Sequence, residues 1–232
     1  APMAANKFLG WRIAKASQPW DLTIEDNLVN RIVLSMDLGL AQPTAKNANI
    51  IRSDSRLEEY QVCDINKMVT LKNCLNRNPM GLGKTVEAIT AARLLRSKSV
   101  LIIVPKIVAG QWRDQIKVWW PERSDDVFIY GSTDAKKRKV EQGCIVITNY
   151  EKLLNESNLL KFRQFSWDVL IADEAHKIKN PKSKRTVALK NIPAVRKYAL
   201  TGTPILNRPD DLWSILHFLN WRYSGISYWN FV

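Results

Sequence analysis

One stretch carries residue types suited to phosphate chemistry: Asn78 to Thr85 reads Asn-Pro-Met-Gly-Leu-Gly-Lys-Thr. Its last three residues form the end of a phosphate-binding loop, and apolar residues at helical spacing follow directly. A loop that enters a helix N-terminus directs backbone N–H groups and the positive end of the helix dipole toward a polyphosphate. We therefore predict that Lys84 reaches the β- and γ-phosphates and that the Thr85 hydroxyl holds Mg²⁺. A chance turn before a helix is the alternative, because the general pattern has Gly at the position of Asn78.

A second group of residues able to do chemistry ends an apolar run, where Asp173 and Glu174 follow Val169 to Ala172. Sheets of α/β proteins place their ligands at this carboxyl edge of the strands. Asp173 at the strand end is predicted to bind the metal that bridges the phosphates. Glu174 is predicted to act as general base on the attacking water. The alternative interpretation of Asp173 and Glu174 is a solvated acidic turn at the end of a strand. His176 is predicted to link this site to the next loop.

Strands and helices that alternate along the chain must position these groups. Apolar runs of strand length occur at 100–104, 127–130, 144–147, 169–172 and 198–200, with helical patterns between them. Such alternation predicts βαβ crossovers, hence an α/β fold with a mostly parallel sheet and helices on both faces. Residues 1–55 show no chemistry and are interpreted as an N-terminal extension or accessory subdomain; residues 56–232 would form the main lobe.

Charge and cysteine content narrow the class of partner. The 232 residues include 35 Lys and Arg against 22 Asp and Glu, a formal net charge of +13. This excess favours a polyanion, nucleic acid before a membrane surface. The three cysteines are scattered and only two histidines occur, so we expect neither a structural zinc site nor a disulfide framework. We see no bilayer-length apolar run and no signal peptide, and we expect an intracellular protein, in cytoplasm or nucleus.

Several motifs in one order resemble a known family. Asp173-Glu-Ala-His176 is a DEAH box, and the chain resembles superfamily 2 helicases, more narrowly the Swi/Snf family of double-stranded-DNA translocases. The loop from Met80 to Thr85, the extended motif from Asp173 to Asn180 and the segment from Leu200 to Pro204 each match that family's versions. The resemblance covers roughly residues 57–232 and implies a P-loop NTPase lobe of RecA-like fold.

The resemblance also implies roles for individual residues. The ATP site would comprise Gln61, Met80, Gly81, Leu82, Gly83, Lys84 and Thr85, with Gln61 reading the adenine, although a polar residue on a helix face is the alternative. Contacts to DNA phosphates would come from Pro105 and Lys106, with Trp112 further along the same motif, and from Thr148 and Asn149. A helix cap or turn residue is the alternative for each of these contacts. A basic run after the DEAH box adds Lys177 and Lys179, which a solvated face would explain equally well. Nucleotide and DNA sites would be coupled through His176, Thr201, Gly202 and Thr203.

The sequence departs from the family at the start of the loop. The family usually has an acidic pair where this chain has Asn78-Pro79, and Pro79 has no N–H to donate. The later loop residues build most of the phosphate cradle, so we expect nucleotide binding to survive. Gln115 also stands where the family commonly has Glu, which affects one local contact.

The resemblance implies the N-terminal ATPase motor lobe of an ATP-dependent double-stranded-DNA translocase or remodeller, with ATP and Mg²⁺ as ligands. Members pair two RecA-like lobes, and the second lobe supplies arginines to the ATP site, so this lobe alone is expected to turn over ATP poorly. Two alternatives stay open. One is a strand-separating DEAH-box helicase on RNA or DNA, and the other is a nucleotide-gated binding module in which Asn78-Pro79 marks lost hydrolysis.

Overall fold

A computed structural model describes residues 56–133, 138–203 and 209–219 of the chain. The predicted N-terminal extension, residues 1–55, lies outside these ranges, and the division at residue 55 stays a prediction. Within the described ranges no helix is long and apolar enough to cross a membrane.

The centre of the fold is a six-stranded sheet in the order β1-β6-β5-β2-β4-β3. All neighbouring strands pair parallel. The predicted α/β class with a parallel sheet is therefore confirmed; β1, which is short and half polar, was not predicted. The strands are β1 (Asn73–Asn76), β2 (Val100–Val104), β3 (Val127–Ile129), β4 (Ile145–Asn149), β5 (Trp167–Asp173) and β6 (Ala194–Leu200).

Helices connect the strands and cover both faces of the sheet. They are α1 (Glu59–Thr70), α2 (Lys84–Leu94), α3 (Ala109–Trp119), α4 (Glu156–Arg163), α5 (Lys184–Lys190) and α6 (Pro209–Phe218). Short 3₁₀ turns lie at Lys106–Val108, Pro121–Arg123, Tyr150–Leu154 and Ala175–Ile178. One core cluster joins one face of the sheet to α1, α2 and α3, and a second joins the opposite face to α4, α5 and α6.

The alternation of side chains along β2 shows why the core has two halves. Leu101 and Ile103 belong to the cluster on one face, while Ile102 and Val104 belong to the other. Successive side chains of a strand point to opposite faces, and a strand covered on both faces is apolar throughout. The continuous run Val100–Val104, in which all five residues are buried, is the result.

Side chains from β6 satisfy the carbonyl groups at the end of α1. The last carbonyls of a helix have no partner within the helix. The Tyr198 hydroxyl donates to Met68 O at 2.7 Å, and the Arg196 guanidinium donates to Val69 O at 3.1 Å and Leu71 O at 2.7 Å. These bonds hold α1, and with it the start of the phosphate-loop region, on the sheet.

Tyr198→Phe should lower the free energy of unfolding by about 1–3 kcal/mol, because Met68 O then stays buried without its donor. Urea unfolding of the chain measures the change. Tyr60→Phe is the matched control: its hydroxyl also donates to a carbonyl, but Tyr60 is exposed, so the loss should stay within about 0.5 kcal/mol. Equal losses in both variants would contradict this account of the α1 terminus.

Candidate functional site

The phosphate loop leads from β1 into α2, as its sequence predicts. Gly81 and Gly83 adopt φ values of 84° and 85°, a region that glycine enters without strain. The Lys84 ammonium donates to Asn78 O at 2.7 Å and to Pro79 O at 3.0 Å. The side chain therefore closes over the start of the loop, and its phosphate contacts stay a prediction.

A buried carboxylate supports the loop from behind. Glu87 in α2 is fully buried and accepts hydrogen bonds from the side-chain amides of Asn76 and Asn78. The Asn78 amide also donates to Asp64 Oδ2 at 2.8 Å. Burial raises the pKa of Glu87 to about 7, and the Asp64 charge adds to this, while the two amides and Lys84 oppose it.

This network accounts for the departure at the start of the loop. The Asn78 amide faces two carboxylates, so a third acid at this position would face like charges in a buried setting. Pro79 contributes its carbonyl, which accepts a hydrogen bond from Lys84, and this contact does not require an N–H.

The predicted adenine reader lies against the phosphate loop. Gln61 Nε2 donates to Leu82 O at 3.2 Å, and Gln61 Oε1 accepts from Glu58 N at 3.0 Å. The Tyr60 hydroxyl donates to the same carbonyl at 3.1 Å. A Cβ placed on Gly83 would stand 2.3 Å from Gln61 Nε2, so the close approach requires glycine. The adenine contact of Gln61 stays a prediction, since both ends of its amide bind the protein itself.

Asp173 ends β5 with both carboxylate oxygens oriented by protein donors. Oδ2 accepts from the Trp112 indole N–H at 2.8 Å, and Oδ1 accepts from Glu174 N at 2.9 Å. Burial raises the pKa of the Asp173 carboxyl, and the Glu174 charge adds to this, while Trp112 and Lys84 act in the opposite direction. Lys84 and Asp173 thus lie near enough for their charges to interact across the site.

Glu174 has a strained backbone, and its carboxylate oxygen Oε2 receives no well-directed hydrogen bond from the described residues. Its φ of 49° and ψ of 52° lie in the left-handed region, which costs a non-glycine residue about 1–3 kcal/mol and is common at functional sites. Oε2 is buried and makes no well-directed hydrogen bond within the described ranges, although His176 Nδ1 lies 3.1 Å away.

The predicted coupling residues meet beside the loop. His176 Nδ1 lies 3.4 Å from Thr201 Oγ1, and Thr203 N donates to that hydroxyl at 3.2 Å. Thr201 N in turn donates to Asn76 O at 3.0 Å, at the end of β1. The acidic strand end, the segment after β6 and the loop are therefore in direct contact.

Gly202 packs closely on the phosphate loop. A Cβ placed on Gly202 would lie 3.4 Å from Met80 N, at the near end of ordinary van der Waals contact. Met80 itself is 72% exposed, and Leu82 is 38% exposed. Their side chains thus contribute apolar surface at the loop mouth.

A cleft of about 720 Å³ opens at the carboxyl ends of β2, β3 and β4. Five of the six residues predicted to contact DNA line it: Pro105, Lys106, Thr148, Asn149 and Lys177. Lys179 is not among the lining residues. The segment after β3 and the turn after β4 add Tyr130, Gly131, Ser132, Glu151 and Lys152, which the sequence analysis missed.

The chemistry of the cleft suits phosphate groups. Lys106, Lys152 and Lys177 supply three ammonium groups against the single carboxylate of Glu151. Thr148 Oγ1 is buried and has no hydrogen-bond partner among the described residues. Lysine and hydroxyl groups of this kind make backbone contacts that position nucleic acid without reading its sequence.

Residues that shape the nucleotide site were also missed, chiefly Asn76, Glu87 and Tyr150. Each has a weak signal in the sequence. Asn76 lies two residues before Asn78, Glu87 falls at a buried position of α2, and Tyr150 follows the predicted contact residues Thr148 and Asn149.

The parallel sheet, the phosphate loop and the acidic strand end define a P-loop NTPase lobe of RecA-like fold. The SNF2-related domain family model matches residues 13–229, and the chain therefore belongs to the SNF2-related family. The predicted resemblance to Swi/Snf proteins is confirmed.

Relatives and solved structures agree with this assignment. Helicase ssl-1 of Caenorhabditis elegans is 38% identical over 180 residues, which cover 71% of this chain and 7% of the relative. Human SWI/SNF-related matrix-associated actin-dependent regulator of chromatin subfamily A member 1 is 31% identical over 178 residues, 70% of this chain and 17% of the relative. The Sulfolobus solfataricus SWI2/SNF2 ATPase core in complex with dsDNA is 33% identical with a TM-score of 0.65, covering 75% of this chain and 38% of that one. The chain spans a small part of these proteins.

Titration of Glu87 should make the folded chain less stable as the pH rises. Its pKa increases from the ordinary 4.5 to about 7 on folding, so the folded state holds the proton more tightly. The contribution of Glu87 to stability should be complete below about pH 4.5, fall by about 3 kcal/mol up to pH 7, and then level off. Glu87→Gln should remove this slope, as measured by urea unfolding across the pH range without metal or nucleotide.

Glu59→Gln, at an exposed position of α1, is the control and should keep the wild-type slope. A Glu87→Gln profile parallel to that of the wild type would show that Glu87 titrates normally in the folded protein.

Proposed function

We propose that this chain is the N-terminal ATPase motor lobe of an ATP-dependent translocase or remodeller acting on double-stranded DNA. The observation that carries the proposal is that one edge of the sheet holds two sites, a phosphate loop beside an acidic strand end and a lysine-lined cleft. An intracellular, reduced setting is part of the proposal.

Binding of ATP would use the loop and the start of α2. Lys84 would exchange its two carbonyl partners, Asn78 O and Pro79 O, for the β- and γ-phosphates, so that its ammonium keeps a hydrogen-bond acceptor before and after binding. Backbone N–H groups from Gly81 to Thr85 would hold the remaining phosphate oxygens. Gln61 would reach the adenine once its amide leaves Leu82 O.

The oxygen donors at the site fit Mg²⁺. A hydroxyl from Thr85 and a carboxylate from Asp173 are hard ligands, and Mg²⁺ takes few protein ligands when phosphates and water supply the rest. Burial disfavours the Asp173 charge, so a cation beside it relieves an existing cost. Bound Mg²⁺ would neutralise charge that develops on the phosphates.

Glu174 would accept the proton of the attacking water. Its Oε2 is buried and lacks a well-directed donor, and the left-handed backbone fixes the direction of the side chain. His176, 3.1 Å from that oxygen and 3.4 Å from Thr201 Oγ1, would pass changes at Glu174 to the segment after β6. Lys177, the residue after His176, lines the cleft, so hydrolysis would be linked through this segment to the surface that contacts DNA.

Completion of the site would come from a second RecA-like lobe that supplies arginines, an element carried over from the family resemblance. The strand-separating helicase and the nucleotide-gated binding module remain as outcomes of the tests. Unwinding of a duplex by the full-length protein would favour the first, and tight ATP binding with no turnover would favour the second.

Glu174→Gln should keep Mg²⁺-dependent ATP binding and lower hydrolysis by about 10²- to 10⁴-fold, because it preserves the shape of the side chain and removes the base. Asp173→Asn should instead weaken the part of the ATP affinity that depends on Mg²⁺. Calorimetric binding with and without Mg²⁺, together with turnover of the full-length protein, separates the two effects.

The control is Glu156→Gln, at an exposed position of α4, which should leave both quantities unchanged. Equal loss of ATP binding in Glu174→Gln and Asp173→Asn would show that the two carboxylates do not have separate roles.

Duplex DNA should bind the chain without sequence preference, and log K should fall linearly with log salt. Lys106→Ala or Lys177→Ala should weaken binding equally for all sequences and reduce the salt slope by about 1 each. Lys117→Ala, an exposed lysine of α3 outside the cleft, should change neither affinity nor slope. Fluorescence anisotropy with duplexes of different sequence provides the measurement, and a sequence-selective or salt-insensitive isotherm would contradict the cleft assignment.

A further inference from the structure

Asp173 receives one hydrogen bond from each of two segments that continue from the cleft lining. The Trp112 indole N–H donates to Asp173 Oδ2 at 2.8 Å, and the Tyr150 hydroxyl donates to Asp173 O at 2.5 Å. We propose that Trp112 and Tyr150 are positioning residues that couple DNA in the cleft to the metal-binding carboxylate of Asp173. This inference rests on the proposed function.

The chain path joins each donor directly to the cleft. Lys106, Ala109 and Gly110 line the cleft, and α3 begins at Ala109, so Trp112 follows one helical turn later. Three residues of helix span only about 4.5 Å, so a movement of the helix start is transmitted to the indole. Tyr150 is the residue after Asn149, which lines the cleft at the end of β4.

Both donors are fixed by their burial. Trp112 and Tyr150 are each 1% exposed, and they lie in different core clusters on opposite faces of the sheet. A buried indole N–H or phenol O–H requires an acceptor. Here both acceptors belong to Asp173, so the end of β5 is held from the two faces at once.

The bond from Trp112 determines how the carboxylate is presented. It orients Oδ2, while Glu174 N orients Oδ1, and the remaining lone pairs define the direction in which a cation can be held. Groups that orient a metal ligand in this way change metal affinity by about 10- to 100-fold when removed. A shift of α3 on DNA binding would therefore alter the affinity for the metal–nucleotide complex.

Coupling of this kind is reciprocal. If duplex DNA changes the affinity for Mg²⁺–nucleotide by some factor, Mg²⁺–nucleotide changes the affinity for DNA by the same factor, commonly about 5- to 150-fold. This ratio is the quantity to measure, because a purely structural role of Trp112 or Tyr150 would change stability or each affinity alone and leave the ratio intact.

The experiment determines the affinity of the chain for a fluorescent non-hydrolysable ATP analogue with Mg²⁺, with and without a saturating duplex. We expect several-fold coupling in the wild type. Trp112→Phe should reduce the ratio to near 1 while each ligand still binds alone, and Tyr150→Phe, which removes only a hydroxyl, should reduce it in part. Trp119→Phe, at the far end of α3 and outside the cleft, should keep the wild-type ratio.

A second measurement needs neither metal nor nucleotide. In the chain labelled with ¹⁵N at its indoles, the Trp112 resonance is identified by its loss in Trp112→Phe and should move when duplex is added. The Trp119 resonance, identified in the same way, should not move.

Several outcomes would overturn the inference. These are a wild-type ratio of 1 although both ligands bind, an unchanged ratio in Trp112→Phe, or an indole resonance unaffected by bound DNA. If Trp112→Phe does not fold, Tyr150→Phe decides, and an unchanged ratio there rejects the coupling. Failure of the wild-type chain to bind nucleotide or duplex at all would instead reject the proposed function.

Discussion

Parallel pairing of all six strands is the constraint from which the functional surface follows. Because every strand runs in the same direction, every segment that leaves a carboxyl end leaves the same edge of the sheet. The phosphate loop after β1, the acidic pair at the end of β5 and the threonines after β6 meet there through the pairing of β6 with both β1 and β5. The cleft forms further along, after β2, β3 and β4. Two sites thus share one edge because one sheet supplies both.

Two buried carboxyl groups and one ammonium group interact at the nucleotide site. Glu87 and Asp173 lie on separate elements, burial raises the pKa of each, and the Lys84 ammonium opposes both shifts. The loop is therefore positioned between two acids that gain from a nearby cation. In this network the neutral Asn78 amide donates to both Glu87 and Asp64. A carboxylate at position 78 would instead face two groups of the same charge. The unusual start of the loop is consistent with an intact phosphate site.

Two residues with special local geometry, Glu174 and Gly202, lie where the elements of the site meet. Glu174 holds a left-handed backbone between the strand end and the following turn, and Gly202 packs against the backbone of Met80. Such positions are tolerated because the surrounding core is tightly determined, and they leave the contacting segments with few alternative arrangements. A movement of one of these segments must therefore be accommodated by the segments in contact with it.

Local patterns in the sequence determined the class of fold and the position of its main motifs. Apolar runs such as Val100–Val104 predict buried parallel strands because a strand covered on both faces must be apolar throughout. The loop glycines, Lys84 and the Asp173–Glu174 pair are recognisable because their chemistry depends on neighbours in sequence. The tertiary structure alone decided which distant groups meet. Glu87 beneath Asn78, and Trp112 on Asp173 across 61 positions of the chain, depend on the order of the strands and on helix packing, which no local pattern encodes.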